Sequence, residues 1–153
     1  MNVDTIMSRP VVSCRADDTL NQAARLMWEN DCGFLPVLEE GRLVGVVTDR
    51  DVCMGAYTQG KVLSAIRVGE VMSKGLTTCT PSTDITDARK LMGHERVRRV
   101  PVVSGGDLVG IVSINDIALA ARASHRGAPT MAQVGETLAA ICEHRTAVPV
   151  AAE

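Results

Sequence analysis

The chain contains an internal duplication whose two copies are offset by sixty-five residues. When residues 3–52 are aligned with residues 68–117 without a gap, fifteen of fifty positions are identical. The identical pairs include Met7/Met72, Cys14/Cys79, Pro36/Pro101, Gly45/Gly110 and Asp51/Asp116. A unit of this length is too short to bury a core alone. The duplication therefore predicts a pseudo-two-fold pair of copies with two related clefts between them, where function should be sought.

The hydrophobic patterns predict the same five elements in each copy, in the order strand, helix, strand, strand, helix. The fold class is therefore α/β (α+β). In the first copy the predicted elements are a strand at 11–14, a helix from Leu20 to Met27 that Gly33 closes, strands at 34–38 and 43–47, and a helix from about Asp49. In the second copy they are strands at 76–79, 99–103 and 108–112, with helices from Ile85 and Asn115.

Pro36 and Pro101 fall inside two of the predicted strands. Proline has no amide hydrogen and is poorly tolerated in a central antiparallel strand. Each of these strands is therefore expected to have an edge at the proline, or to lack a partner for that nitrogen.

The duplication divides the chain into four regions. They are a first motif at 1–60, a connector at 61–67, a second motif at 68–123, and a linker, amphipathic C-terminal helix and tail at 124–153. The stretch from Cys53 to Arg67, which Gly60 interrupts, is expected to link the two copies.

The C-terminal helix is predicted from a capping-box pattern at Thr130 and Gln133, followed by apolar residues at helical spacing. The apolar positions are Met131, Val134, Leu138, Ile141 and Cys142. The helix is expected to end near His144 and Arg145. Its apolar face must pack on the body, on a second subunit or on a partner.

Charge and composition disfavour several functional classes. A formal net charge of −2 gives no basic field that would attract nucleic acid. No apolar run approaches the roughly 18 residues of a membrane span, and residues 1–10 lack the apolar core of a signal peptide. The sequence therefore predicts a soluble, cytoplasmic protein with no nucleic-acid or membrane partner.

The five cysteines, at positions 14, 32, 53, 79 and 142, show no C-x-x-C pair and no zinc spacing with the three histidines. They are interpreted as free thiols, and no metal site is predicted. A disulfide between Cys14 and Cys79 is the alternative, which a reducing cytosol disfavours.

The most specific motif is G-h-h-[ST]-x-x-D, in which h is an apolar residue. It occurs at Gly45 to Asp51, with Thr48 as the hydroxyl residue, and again at Gly110 to Asp116, with Ser113. A strand delivers the hydroxyl to the first turn of a helix, where free amides and the helix dipole favour phosphate. An ionised carboxylate only accepts hydrogen bonds, so it suits the paired hydroxyls of a ribose. The alternative is that both segments are only helix-capping boxes.

A second candidate feature is the turn that contains Arg96, Arg98 and Arg99. Three arginines within four residues favour contact with an anion or with solvent. The equivalent positions of the first copy carry no cation. The two clefts are therefore expected to differ in their affinity for phosphate.

These residues resemble a known family, the tandem pair of CBS domains that is often called a Bateman module. The resemblance covers residues 3–122 and rests on I-M-S and V-M-S at 6–8 and 71–73, on L-P-V and V-P-V, and on the two G-h-h-[ST]-x-x-D segments. It implies two β-α-β-β-α motifs whose sheets pack face to face. It also implies that adenosine compounds such as AMP, ADP, ATP, NAD or S-adenosylmethionine bind in the clefts.

The resemblance also implies roles for individual residues. Asp51 and Asp116 would hold the ribose, Thr48 and Ser113 would reach phosphate or ribose oxygens, and Arg50 and Asn115 would line the same mouths. Arg98 and Arg99 match positions that meet phosphates. In the Asp116 cleft the adenine would lie near Val12 and Cys32.

The leading hypothesis is a regulatory sensor that binds an adenine nucleotide as a regulatory ligand, without catalysis. It would signal through the tilt of its halves to an unknown protein effector, and the resemblance suggests a homodimer, with Trp28 as a possible contact. One alternative is a ligand-free interaction and dimerisation scaffold. Another is a small enzyme that uses Cys53, or Cys142 with His144, but residues at i and i+2 on a helix do not face each other.

Overall fold

A computed structural model describes residues 1–143 of the chain. Its strands are β1 Cys14–Arg15, β2 Phe34–Glu39, β3 Arg42–Thr48, β4 Arg99–Ser104 and β5 Asp107–Ser113. Its α-helices are α1 Leu20–Glu29, α2 Asp49–Gln59, α3 Val68–Val71, α4 Ile85–Glu95, α5 Ile114–Arg122 and α6 Met131–Cys142. Two short 3-10 helices lie at Val3–Thr5 and Leu63–Ala65. The predicted fold class and the C-terminal helix are confirmed.

The strands form one sheet in the order β1-β2-β3-β5-β4. Each copy contributes an antiparallel hairpin, β2 with β3 and β4 with β5, and the two hairpins meet where Arg42 pairs with Asp107. This one paired position joins the two hairpins into a single five-stranded sheet. The turn that joins β2 to β3 has Glu40 and Gly41 at positive φ.

The first six residues of each copy pack on the other copy. Ser8 exchanges backbone hydrogen bonds with Ile111 of β5 at 2.8 and 3.2 Å, and Ser73 does the same with Val46 of β3 at 2.9 and 3.0 Å. Met7 lies over Gly110, and Met72 lies over Gly45. We call residues 3–8 and 68–73 the crossed leads, because each belongs in space to the opposite copy.

The crossed leads complete two separate hydrophobic cores. The second-copy core includes Val3 and Met7 from the beginning of the chain. The first-copy core includes Ile66 and Val68, both fully buried. The core of each copy is therefore completed by residues from the beginning of the other copy or from just before it.

The crossing explains why two predicted strands are short. The run at 11–14 contributes only Cys14 to β1, and the run at 76–79 contributes a single bridge, between Cys79 and Val102. The residues ahead of these points, 9–13 and 74–78, carry the chain from one copy to the other. The β-branched side chains of these residues favour strands. In the described structure, however, residues 9–13 and 74–78 pair with no strand.

The proline expectation is confirmed at Pro101. The Cys79 amide donates to the Pro101 carbonyl at 3.1 Å, so the proline nitrogen faces the same outer side of β4. The pairing there consists of the single Cys79–Val102 bridge, and no ladder requires an amide at position 101.

Two helix ends differ from the prediction. Helix α1 ends at Glu29, and the chain turns at Asp31, whose φ is 48°, rather than at Gly33. Aspartate tolerates this left-handed conformation better than most residues. Helix α2 extends through Cys53 to Gln59, so the linking stretch begins only at Gly60, which caps the helix at φ 62°.

Helix α6 packs on α4 and α5 of the second copy. The capping box of Thr130 and Gln133 is present, and Val134, Thr137 and Ile141 are buried. The predicted apolar stripe is only partly right. Met131, Leu138 and Cys142 are exposed, while Thr137 is buried because its hydroxyl accepts a hydrogen bond from Arg89. The predicted helix end at His144 and Arg145 lies outside the described residues.

The structure describes no helix within residues 1–143 with the length and apolarity that a membrane crossing requires.

Replacement of Gly45 by alanine should destabilise the protein by about 1–3 kcal/mol, as overpacking of a core does. The added methyl carbon would lie 2.6 Å from the Met72 sulfur and 3.0 Å from the Ser73 carbonyl oxygen. Gly75→Ala is the matched control, because nothing lies within 4 Å of a methyl group there. Urea unfolding of both variants measures the difference. A Gly45→Ala protein as stable as Gly75→Ala would contradict the proposed role of the crossed leads.

Candidate functional site

Two clefts lie between the copies. The larger has a volume of about 470 Å³ and is lined by Gly33, Phe34, Val46, Thr48, Asp49, Arg50, Asp51, Ser73, Gly75, Thr77, Arg96, Val97, Arg98, Arg99, Pro101 and Ile141. The smaller has a volume of about 280 Å³ and is lined by Ser8, Pro10, Val11, Val12, Asn30, Cys32, Phe34, Arg99, Ile111, Ser113 and Asp116. Both volumes are of the order of small-molecule sites, which span roughly 300–1,000 Å³.

The two clefts are related by the duplication. Thr48, Asp51 and Ser73 of the larger cleft stand sixty-five residues from Ser113, Asp116 and Ser8 of the smaller one. Each cleft combines the helix start of one copy with the crossing segment of the other. The expectation of two related clefts between the copies is confirmed.

Asp51 combines a structural bond with a free acceptor. Its Oδ2 accepts from the Thr48 amide at 2.8 Å and from the Thr48 hydroxyl at 2.7 Å. Its amide donates back to the Thr48 hydroxyl at 3.2 Å, which completes a capping box. Its Oδ1 accepts no hydrogen bond from residues 1–143. The carboxylate therefore caps α2 with one oxygen and leaves the other for a donor in the cleft.

The Thr48 hydroxyl is not a free donor. Because it already donates to Asp51, a phosphate or ribose oxygen would have to compete with a carboxylate for the same hydrogen. The expected contact of Thr48 or Ser113 with phosphate therefore requires the cap to rearrange.

Asp116 is more fully engaged than Asp51. Its Oδ2 accepts from the Ser113 amide at 2.8 Å and from the Ser113 hydroxyl at 2.6 Å. Its Oδ1 accepts from the Ser8 hydroxyl of the crossed lead at 3.2 Å. A ribose in the smaller cleft would therefore have to replace or share the Ser8 bond.

The three arginines of the second-copy turn concentrate at the larger cleft. Arg96, Arg98 and Arg99 all line it, whereas only Arg99 lines the smaller cleft as well. The equivalent first-copy positions are Asp31, Gly33 and Phe34. The predicted difference in charge is present, and the larger cleft is the one suited to an anion.

Of the other predicted site residues, all but Asn115 line one of the two clefts. Arg50 lines the larger cleft, and Val12 and Cys32 line the smaller cleft together with Asp116. Asn115 is exposed at the second position of α5 and is not among the residues that line the smaller cleft.

Sequence reasoning missed residues that reach the clefts through the crossing. Ser73 and Ser8 belong to the crossed leads, and Thr77 belongs to a segment that was predicted as strand. Ser8 and Ser73 each follow a methionine in the duplicated M-S pattern, which indicates that the two serines are equivalent. The pattern does not indicate that each serine packs on the other copy. Gly45, which begins the first G-h-h-[ST]-x-x-D segment, is covered by Met72.

The cysteines do not form a catalytic group in the described structure. All five are free thiols. Cys14 and Cys79 are buried in different cores, so the alternative of a disulfide between them is not met. Burial, with a contribution from Asp18, raises the pKa of the Cys14 thiol to about 12, and burial raises that of Cys79 to about 11. Cys53 and Cys142 are exposed, and His144 lies outside the described residues.

Comparison with known proteins identifies the duplicated unit. The family model described as CBS domain matches residues 3–55 and again residues 68–123. The CBS domain-containing protein YhcV of Bacillus subtilis is 36% identical over 118 residues, which cover 77% of this chain and 84% of YhcV.

Solved structures of similar fold carry different ligands. The CBS domain pair of protein MJ0100 in complex with 5′-methylthioadenosine and S-adenosyl-L-methionine has a TM-score of 0.73 and 25% identity, covering 81% of this chain and 98% of that one. Hypoxic Response Protein I with two coordinated zinc ions has a TM-score of 0.72 and 33% identity, covering 78% and 98%. Within residues 1–143 of the present chain, no three His, Cys, Asp or Glu side chains are grouped so as to hold a metal ion.

Alkylation with iodoacetamide at pH 8 should label Cys53 and Cys142 and leave Cys14 and Cys79 unmodified. The thiolate is the reactive form, and a raised pKa lowers its fraction at any given pH. Native-state labelling of the two buried thiols should therefore become appreciable only as the pH approaches about 11 to 12. Peptide mass spectrometry with and without denaturant measures this. Labelling of Cys14 in the native protein at the rate of Cys53 would contradict the burial.

Proposed function

Because this chain belongs to the CBS-domain family and carries a tandem pair of these domains, we propose that it is a regulatory module for an adenosine-containing ligand. The ligand binds in the clefts between the two copies, and the protein acts by binding rather than by catalysis. The candidates are AMP, ADP, ATP, NAD and S-adenosylmethionine. The larger cleft is the principal site.

The observation that carries this proposal is the combination of Asp51 with the arginine turn in one cleft. The free Oδ1 of Asp51 suits ribose hydroxyls, which donate to it. Arg98 and Arg99 form no ion pair within residues 1–143, so their guanidinium groups are available to phosphate. The residues present therefore fit a sugar and an anion side by side.

The MJ0100 complex supports the adenosine class of ligand. That CBS domain pair binds two different adenosine compounds, one with and one without an amino-acid end. The likeness of fold makes the same class reasonable for the present clefts, and the three arginines favour a member of the class that carries phosphate.

The crossing segments supply a route for the signal. Residues 9–13 and 74–78 join the two copies, and Pro10, Val12, Gly75 and Thr77 line the clefts. A ligand that contacts these segments and a helix start at once changes the tilt between the copies. The proposed output is a contact with a protein effector.

The ligand-free scaffold remains the alternative function, because both aspartates form complete capping boxes. In that case the carboxylates would stabilise α2 and α5 and have no ligand. A cytoplasmic location belongs to either form of the proposal, since five free cysteines suit a reducing compartment.

The variant Asp51→Asn separates the two functions. Asparagine keeps one oxygen that can accept from the Thr48 backbone amide. In place of the free carboxylate oxygen, however, it presents an NH2 group to the cleft, and this group cannot accept a hydrogen bond from a ribose hydroxyl. Affinity for the preferred ligand should fall about ten- to a hundredfold, as the loss of a charge-assisted bond of about 1.5–3 kcal/mol implies. Calorimetric titration with AMP, ATP, NAD and S-adenosylmethionine measures this. Asp87→Asn is the matched control, since Asp87 lies exposed in the first turn of α4 outside both clefts.

Thermal unfolding reports the same binding independently. A ligand at a hundredfold its Kd should stabilise the wild type by about 2.7 kcal/mol. If no adenosine compound stabilises the wild type, the ligand-free scaffold is correct. If the wild type is stabilised but Asp51→Asn binds as tightly as Asp87→Asn, the Asp51 carboxylate only caps its helix and has no part in binding.

We also propose that the chain forms a homodimer through the first-copy helix surface, which consists of Trp28 on α1 with Met54 and Tyr57 on α2. Trp28 is 88% exposed and Tyr57 is 80% exposed. Helix α6 packs on the equivalent helices of the second copy, α4 and α5, and covers part of their surface. The first-copy surface is therefore the one left for a second subunit, which would bury these aromatic side chains.

Met54→Ser should shift the dimer toward monomer, and Leu119→Ser should leave it unchanged. Leu119 is the duplication equivalent of Met54 and is similarly exposed, but it lies on the second copy. Both variants retain Trp28, the single tryptophan, whose emission should shift to the red when the dimer dissociates on dilution. Sedimentation velocity gives the mass. A wild type that stays monomeric, or equal effects of the two substitutions, would contradict this surface.

A further inference from the structure

The last turn of α6 forms part of the wall of the larger cleft. Ile141 lines this cleft although it lies outside the two CBS-domain segments. The next residue but one, Glu143, places its Oε2 3.6 Å from Nη2 of Arg96. The end of the helix therefore brings a carboxylate to one of the three arginines that make the cleft cationic.

The position of this helix end is fixed by buried contacts. The Arg89 side chain is only 8% exposed, and it donates from Nε to the Thr137 hydroxyl at 3.0 Å and from Nη2 to the Gln133 carbonyl at 2.6 Å. One turn along α4, a methyl group at Gly93 would lie 3.1 Å from the Cβ of Ala140, so the helices approach closely there. Glu143 is thus held beside the cleft by the packing of the whole helix.

The second copy alone can hold α6 in this way. The positions of the first copy that correspond to Arg89 and Gly93 are occupied by Ala24 and Trp28. Alanine lacks the guanidinium that binds Thr137 and Gln133, and an indole would fill the space that Ala140 approaches. The Glu143 carboxylate therefore lies next to Arg96 at the edge of the larger cleft, and the first copy offers no equivalent seat for α6 beside the smaller one.

The three arginines of the larger cleft are consequently unequal. Arg96 is paired with Glu143, while Arg98 and Arg99 have no ion-pair partner among residues 1–143. A short anionic group can be neutralised by Arg98 and Arg99 alone. A longer chain of phosphates that extends to Arg96 must displace Glu143 or lie close to its negative charge.

We infer that Glu143 is a specificity-determining residue that makes the larger cleft favour a short anionic group, such as a monophosphate, over a triphosphate. This inference rests on the proposed adenosine site and adds to it a discrimination by phosphate number. The discrimination is modest, because the Glu143 side chain is 70% exposed and exposed ion pairs are weak.

The test is the isosteric variant Glu143→Gln, compared with Glu136→Gln as a matched control on the same helix. Glu136 lies 3.9 Å from Arg89 and outside the cleft, so it controls for a general loss of negative charge on α6. Calorimetric titrations with adenosine, AMP and ATP measure the three affinities for each protein. Affinity for ATP should rise about two- to fivefold in Glu143→Gln, while AMP and adenosine change by less than this. Glu143→Lys should increase the effect in the same direction.

The outcomes distinguish this inference from the proposed function. An equal gain for AMP and ATP, or the same gain in Glu136→Gln, would overturn the specificity role while nucleotide binding stood. Should the wild type bind no nucleotide, the adenosine site fails, and titration with inorganic tripolyphosphate against monophosphate examines the arginines alone. Tighter tripolyphosphate binding by Glu143→Gln would support the role of Glu143, and unchanged or absent binding would overturn it.

Discussion

The packing of a methionine from each crossed lead against a glycine in the opposite copy is the contact on which the structure depends. In these two contacts the buried Met7 lies on Gly110 and the half-buried Met72 lies on Gly45, each against a strand backbone that has no side chain of its own there. Each copy thereby completes the core of the other, so the pair behaves as one folding unit. The same crossing carries residues 9–13 and 74–78 between the copies and so creates the walls of both clefts.

The sequence predicted the order of elements and the related clefts because the duplication repeats equivalent residues at a constant offset. It did not predict which copy each lead packs on, since Met7 next to Ser8 has the same pattern in either arrangement. The strand at 11–14 was wrong in extent because β-branched residues were placed where tertiary connections prevent pairing.

The asymmetry of the molecule follows from a few positions at which the two copies differ. Arg89 and Gly93 accept α6, whereas Ala24 and Trp28 do not, so one helix pair is covered and the other is open. The arginines that replace Asp31, Gly33 and Phe34 lie beside the end of the same helix. The first set of differences thus decides which helix pair stays exposed, and the second set decides which cleft is charged. None of this follows from a single copy, because it depends on a helix beyond the duplication.

Capping and ligand binding are compatible at Asp51 because its two oxygens have different tasks. The bonds from Thr48 to Oδ2 hold the carboxylate in one orientation before any ligand arrives, so little rotamer freedom remains to be lost on binding. At Asp116 the Ser8 hydroxyl already occupies Oδ1, and the surrounding cleft is smaller and less cationic. In the proposed function, a ribose phosphate would therefore meet a preorganised acceptor in one cleft, beside two arginines that form no ion pair within residues 1–143, and an engaged acceptor in the other. Occupancy of the larger cleft first is the order that these contacts favour.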